Sequence, residues 1–469
     1  MNKNIEWAPE NYMNAKYLKY HKVKLERIQN THQSPDIIPK LANGLDKILN
    51  IPGIFPVESV NRISDGQLGD FFMRLPQYSE IDESCIPPYY PPSQDKTLVK
   101  MAKEHECKFC MSTSTITSMM AHMYFAISNF KSPHFNHLSH AFDTEPLKYM
   151  LFQRKPNSVF LRMIDKEKKL YACDSDSGFA EPSNTVLLKM GKYMEKMLQN
   201  EAKDFRDHYI IDPETGIPLK IPDAEQDYFK YSKINGMLLR SQIDCQGVNE
   251  NGENVVFELK TRAVAALRYD IGNYINYLDY QIVKKLGKHS SFEREYFDLI
   301  RGGFLRYIMQ IKIGGMDGAF IAYHNTQRVF GFEYIKLKEM EERVFGCSEF
   351  SDKIFKSSLL LIEKIFEHII KDIGEDPNQT LKLGVYSNET NKAIDIFVEI
   401  LDNEEYDKEK NKTTINNDTE NPLEYYNSLK IKPKVIKYTV GVFPLINGLK
   451  ISYSPILYEK GDFLEVSIE

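Results

Sequence analysis

The segment MLLRSQIDCQGVNENGENVVFELKTRA, residues 237–263, limits the possible folds more than any other part of the chain. In a strand, successive side chains point to opposite faces. Leu238, Arg240, Gln242 and Asp244 share one face of the first arm, and Met237, Leu239, Ile243 and Cys245 share the other. In the second arm Val256, Glu258 and Lys260 share a face, opposite Val255, Phe257 and Leu259. Each arm therefore has an apolar side for a core and a side that carries charge. Asn251-Gly252 between them signals a hairpin turn. A strict two-residue turn there would set Asp244 opposite Leu259, on the wrong face. An odd loop centred on Asn251, or a bulge, sets Asp244 opposite Glu258, and this is the register the chemistry needs.

Asp244, Glu258 and Lys260 are the residue types of a metal-dependent phosphodiesterase. Two carboxylates on adjacent strands offer hard oxygen ligands to Mg²⁺ or Mn²⁺. A lysine two residues beyond the glutamate projects beside the metal, where its ammonium orients the attacking water or neutralises the phosphate. IDC followed by ELK has the spacing of the PD-(D/E)XK arrangement. On spacing alone, a solvated, charged sheet face explains the same residues equally well.

Two further residues fit this chemistry. Glu195 lies at the margin of the apolar stripe Leu187, Met190, Met194, Met197, Leu198 and suits a third metal carboxylate; its plain alternative is a surface glutamate. Gln310, one turn beyond Arg306 in LIRGGFLRYIMQIK, suits a support for the site; its alternative is a buried, satisfied amide. Arg240, Arg262, Arg268 and Arg306, with Arg301, Lys312 and Arg328 nearby, are candidate nucleic-acid contacts, though ordinary surface charge explains at least half of such a set.

The chain's 469 residues allow two to four domains. Its net charge of -6 argues against binding nucleic acid by bulk positive charge, and leaves room for a locally basic groove. Six cysteines are too few for a disulfide framework. Cys107-x-x-Cys110 has no second pair at zinc spacing. The start MNKNIEWAPE lacks the apolar core of a secretory signal and the acid-poor pattern of a mitochondrial presequence. No run of eighteen apolar residues suggests a membrane span.

Strands at 158–164 and 169–172, a helix after Pro182, the hairpin, a helical stretch over 265–312 and strands GAFIAYH and VFGFEYI form an α/β pattern. The expected architecture is a central mixed sheet flanked by helices, the restriction-endonuclease-like core of PD-(D/E)XK nucleases. The expected organisation is an N-terminal arm and helical region (1–150), the nuclease core (151–345), a helical extension (346–401), a disordered linker (402–424) and C-terminal strands (425–469).

The segments PPSQDKTLVKMAKEHECKF, STSTITSMMAHMYFAISNF, LLKMGKYMEKMLQ, MLLRSQIDC, VVFELKTRAVAALRYD and FLRYIMQIKIGGMDGAFIAYHNTQRVFGFEYI, taken in order, resemble a family of fungal mitochondrial RNA-degradation and 5′-end-processing factors of the "Pet" series, within the PD-(D/E)XK nucleases. The resemblance spans roughly residues 40–340. It implies a Mg²⁺- or Mn²⁺-dependent exoribonuclease acting 5′→3′ on mitochondrial RNA. It also implies peripheral association with the inner membrane on the matrix side and with the mitochondrial RNA polymerase. Carried over by position, Glu195, Asp244 and Glu258 hold metal, Lys260 assists the water and Gln310 supports the site. Relatives often begin with longer basic regions, so the import route is not legible here. The rival readings are a non-catalytic RNA- or polymerase-binding scaffold on the same fold, and a DNA exonuclease.

Overall fold

The computed structural model describes residues 6–468 apart from 8–15, 19–22, 31–32, 63–68, 88, 177–183, 221–226, 412–434, 451–457, 459–460 and 463. In chain order its principal elements begin with strand β1 (Phe109–Ser112), helix α1 (Thr113–Ile127), β2 (Asn157–Asp165), β3 (Leu170–Ser175) and α2 (Asn184–Gln199). Next come β4 (Phe229–Ile234), β5 (Met237–Gln242), β6 (Cys245–Val248), β7 (Asn254–Ala263), α3 (Phe292–Gly302) and α4 (Phe304–Gly314). They are followed by β8 (Gly318–His324), β9 (Val329–Lys336), α5 (Ser348–Ile373), β10 (Gln379–Asn388), β11 (Ala393–Asp402) and β12 (Val435–Ile446).

The strands form two mixed sheets, so the fold is α/β with mixed sheets flanked by helices, as the alternating pattern predicts. The larger runs β12-β11-β10-β2-β3-β1-β5-β4 and ends on the strand Leu25–Ile28, with further short strands beyond β12. Within it β1 is parallel to both β3 and β5, while the other pairings are antiparallel. The smaller sheet runs β6-β7-β8-β9 and ends on Phe55–Pro56, with β7 and β8 parallel. Parallel neighbours need a crossover, and here the chain between β7 and β8 supplies α3 and α4.

The hairpin register agrees with the odd-loop expectation. Cys245 pairs with Phe257 and Val248 with Asn254, so residues 249–253 form a five-residue loop centred on Asn251. Asn249 Oδ1 accepts from Asn251 N and Glu253 N, and Gly252 adopts φ +78°, a left-handed conformation that costs glycine little. The first arm differs from expectation in one respect. It is not a single strand: β5 ends at Gln242 in the large sheet, and β6 begins at Cys245 in the small one. Alternation alone cannot show a switch of sheet, because both halves keep period two.

Helix α1 is buried almost all round, its polar Thr115, Thr117 and His122 included. It packs against α4, α5 and β10, and Ile116, Met119, Met120, Met123, Tyr124 and Phe125 are buried in the main core. Burying each such side chain contributes about 1.5–3 kcal/mol. Gly315, at φ +58°, ends α4 in a left-handed cap whose N–H reaches Ile311 O, matching the stop expected at Gly314-Gly315.

The apolar face of β7 (Val255, Phe257, Leu259) packs with Met190, Tyr193 and Met194 of α2 in a second core. Leu45, Ile48, Leu49, Val57, Val60, Phe71 and Phe72 belong to this same core, so the region expected to be an arm closes one side of the small sheet. Residues 346–401, expected to be helical, hold α5 and then the hairpin β10–β11. Within the expected linker, Asn403–Asn411 is helical and residues 412–424 lie outside the described residues.

Candidate active site

Strand β6 starts at Cys245, whereas β7 runs on to Ala263. Beyond Phe257, β7 has a strand partner only on its β8 side among the described residues, which leaves a notch at the sheet edge. Asp244 sits where the chain enters β6, and its Oδ2 accepts from Leu259 N at 2.9 Å, satisfying a backbone donor that the ladder leaves open. Gln199 at the end of α2 donates to Asp244 O at 2.9 Å and fixes the backbone from the other side. Extending the hairpin register by one pair puts Asp244 across from Glu258.

Glu258 and Lys260 share the face of β7 turned toward α4. Gln310 donates to Glu258 Oε1 at 2.6 Å, and the Lys260 ammonium is paired with the same oxygen. Lys260 Nζ also lies 5.7 Å from the ring centre of Tyr307, one turn before Gln310. Glu258 is 1% exposed; its other oxygen, Oε2, is buried and accepts from no N–H or ammonium donor, while the Asp244 and Glu258 carboxyls share a hydrogen bond with each other. Such an oxygen is costly unless something cationic or protic fills the space before it.

The electrostatics match a crowd of carboxylates. Burial, and then the charge of Glu258, push Asp244 well above the usual range. Glu258 is also raised by burial, against the lowering effect of Lys260. Glu195, on α2, is pushed up to about 8 by burial and then by the charge of Asp244. Burial alone would weaken the Lys260 ammonium, but Glu258, Asp244 and Glu195 outweigh it and hold the proton firmly. Glu195, Asp244, Glu258, Lys260 and Gln310 thus lie in one neighbourhood. Among the described residues, however, no three His, Cys, Asp or Glu side chains form a group that could hold a metal ion. Asp244 and Glu258, two buried carboxyls close enough to share a proton, suit a hard divalent cation in donor chemistry. Glu195 feels their charge without joining them as a ready ligand.

The four arginines divide. Arg240 faces away: it is buried on β5, paired with Asp95 and bonded to Tyr90 O, so it holds the large sheet to the segment before α1 and is not available as a nucleic-acid contact. Arg268 is taken up by Glu295 and Asp298. Arg262 lies two residues beyond Lys260 on β7, and Arg306 lies on α4, where its charge reaches the buried His122 of α1. Sequence reasoning missed Tyr307 and Gln199. Tyr307 carried a usable signal, since it lies three residues before Gln310 on the same helix face.

The description "Mitochondrial protein Pet127" belongs to the family whose model matches residues 89–367. The Schizosaccharomyces pombe protein named "mRNA degradation protein pet127, mitochondrial" is 32% identical over 352 residues, covering 73% of this chain and 65% of that protein. PET127 of Saccharomyces cerevisiae is 32% identical over 324 residues, covering 67% of this chain and 38% of that protein. The chain therefore spans less than two thirds of either relative. The crystal structure of Scheffersomyces stipitis Rai1 overlaps with a TM-score of 0.34 at 13% identity, over 73% of this chain and 87% of that one, an overlap too slight to bear on function. Matched across more than half its length by that family model, the chain belongs to the mitochondrial Pet127 family.

Proposed function

We propose that this chain is a divalent-metal-dependent exoribonuclease that degrades and trims RNA in mitochondria, working 5′→3′. The observation that carries the reading is the facing pair of buried carboxyls Asp244 and Glu258, sharing a hydrogen bond beside Lys260 and Gln310. The RNA substrate and the compartment come from the name of the S. pombe relative. Direction, peripheral association with the inner membrane and contact with an RNA polymerase rest on the family resemblance. No helix among the described residues is long and apolar enough to cross a membrane.

Asp244 and Glu258 would hold Mg²⁺ or Mn²⁺, and Glu195, which feels their charge, would have to move in to serve as the third carboxylate. When bound, the ion lowers the pKa of a coordinated water and offsets charge on the phosphate. Lys260 keeps its proton in this acidic surrounding, so it acts as a fixed positive charge that orients the water and steadies the phosphate oxygens. Gln310 holds the Glu258 carboxylate in its rotamer. Leu259 N–H and Gln199 do the same for Asp244.

A non-catalytic RNA-binding scaffold is the second reading. It is favoured by the absence, among the described residues, of three converged acidic ligands. Single-stranded RNA carrying a label at one end or the other, incubated with Mg²⁺ or Mn²⁺, separates the two. The nuclease releases labelled mononucleotide at once from the 5′-labelled RNA, and Lys260→Met loses that release. Binding without cleavage under both ions supports the scaffold, and early release from the 3′ label reverses the direction.

A further inference from the structure

We propose that Tyr89 and Tyr90 form a stacking platform for bases of the single-stranded RNA that enters the Asp244 site; that the strand is RNA rests on the reading above. Both tyrosines lie in the segment IPPYYPP. Pro91, at φ -66° and ψ 151°, is extended, and a proline also holds the residue before it extended. The segment is tied to the fold at several points. Arg240 donates to Tyr90 O at 2.8 Å, Ser93 N donates to Asp174 Oδ1 at 2.9 Å, and the Tyr89 hydroxyl lies 3.1 Å from Ser114 Oγ. The ties of Ser93 and Tyr89 are independent of Arg240.

These ties set the two rings on the approach to the site. The Tyr89 hydroxyl is also 3.3 Å from Ser112 Oγ. Ser112 ends β1, its partner across the sheet on β5 is Arg240, and Asp244 follows Arg240 by four residues. At about 3.3 Å per residue that span is at most about 13 Å, the reach of a few nucleotides. Helix α1 starts at this same end of β1 and packs against α4, the helix that brings Gln310 and Tyr307 to the site.

The backbone is held, yet the rings face outward. Tyr89 is 48% exposed and Tyr90 57%, and among the described residues neither ring stacks on another ring or lies under a cation. A ring carried on a fixed backbone loses little freedom when a ligand covers it. Every base has a π-face, so stacking on tyrosine accepts any sequence, as a degrading enzyme requires. From 91 to 146 no other large apolar side chain is exposed among the described residues. Two rings in polar surroundings fall short of the roughly 800 Å² that each partner contributes to a protein interface, whereas they match two bases.

The test is binding to the full chain in chelator, read by fluorescence anisotropy. The ligands are an oligoadenylate RNA and an abasic strand of the same length and backbone. The wild type should bind the strand with bases about ten to a hundred times more tightly, a comparison that needs no variant to fold. Tyr89→Ala combined with Tyr90→Ala should lose most of that gap, and Tyr89→Phe combined with Tyr90→Phe should keep it. The dependence of affinity on salt should be the same in the alanine variant, because no phosphate contact is removed. A wild type that binds both strands alike, or an alanine variant that keeps the full gap, overturns the platform. A gap that the alanine variant loses, without hydrolysis in any metal, would refute the nuclease reading alone. Hydrolysis of the oligoadenylate without such a gap would refute the platform alone.

Discussion

Replacing Glu195 with Gln should make the metal-free protein more stable at high pH. The substitution keeps the shape of the side chain and removes one of three negative charges around Lys260. Burial and the charge of Asp244 raise Glu195 from 4.5 to about 8, so its proton is bound more tightly in the folded state than in the unfolded chain. A carboxyl shifted in this direction costs stability as pH rises from about 4.5 to about 8, and the whole penalty stands above that window. At ~1.4 kcal/mol per pH unit the ceiling is ~5 kcal/mol. Partial contact with solvent screens the repulsion and leaves about 1–2 kcal/mol. A chain of this length unfolds with ~1 kcal/mol/K of entropy, so the gain in Tm is about 1–2 °C. Thermal unfolding in chelator at pH 9 should show Glu195→Gln melting above the wild type, with the gap closing as pH falls to 5. Added Mn²⁺ should raise the wild type more than the variant. A variant that melts lower at pH 9 in chelator, or gains as much from Mn²⁺, would refute the argument.

Other substitutions probe the supports of the site. Gly252→Val puts a β-branched residue at φ +78° and should cost about 1–3 kcal/mol in a urea titration; an unchanged midpoint would mean that the five-residue loop is not fixed as described. Gln310→Leu removes the 2.6 Å bond to Glu258 and should lower RNA hydrolysis, or the affinity for Mn²⁺, by roughly ten- to a hundredfold; full activity would make this glutamine ordinary packing. Arg240→Gln strands Asp95 and should destabilise the fold by about 3–5 kcal/mol with RNA affinity kept in the folded fraction. The reverse result, weak RNA binding at normal stability, would return Arg240 to the groove.

Much of the site was legible because it rests on period two and parity. Alternation put Glu258 and Lys260 on one face, and the demand that Asp244 join them required the loop centred on Asn251 that the structure has. The local signals for α1, α2, β2, β3, β8 and β9 were likewise strong, with unbroken apolar patterns bounded by clear turns. What stayed hidden depends on distant partners. Gln242 to Cys245 gives no local sign that the chain leaves one sheet for another. Arg240 and Arg268 read as groove cations until Asp95, Glu295 and Asp298 are seen beside them. Residues 41–62 and 69–75, broken by proline and short helical turns, look like an arm, yet their apolar side chains cover the small sheet. The β10–β11 hairpin carries a local signal, since Leu381, Leu383 and Val385 alternate, and the expected helical extension over 346–401 overlooks it.

The central claim is that Asp244 and Glu258 work through a divalent cation to cut RNA. Its most direct test is a time course of end-labelled single-stranded RNA with the wild type and Asp244→Asn, each in Mg²⁺ or Mn²⁺ and in chelator. Mononucleotides from the wild type with metal, and none from the other three combinations, is the predicted result. RNA cleaved by Asp244→Asn at the wild-type rate, or by the wild type in chelator, would contradict it.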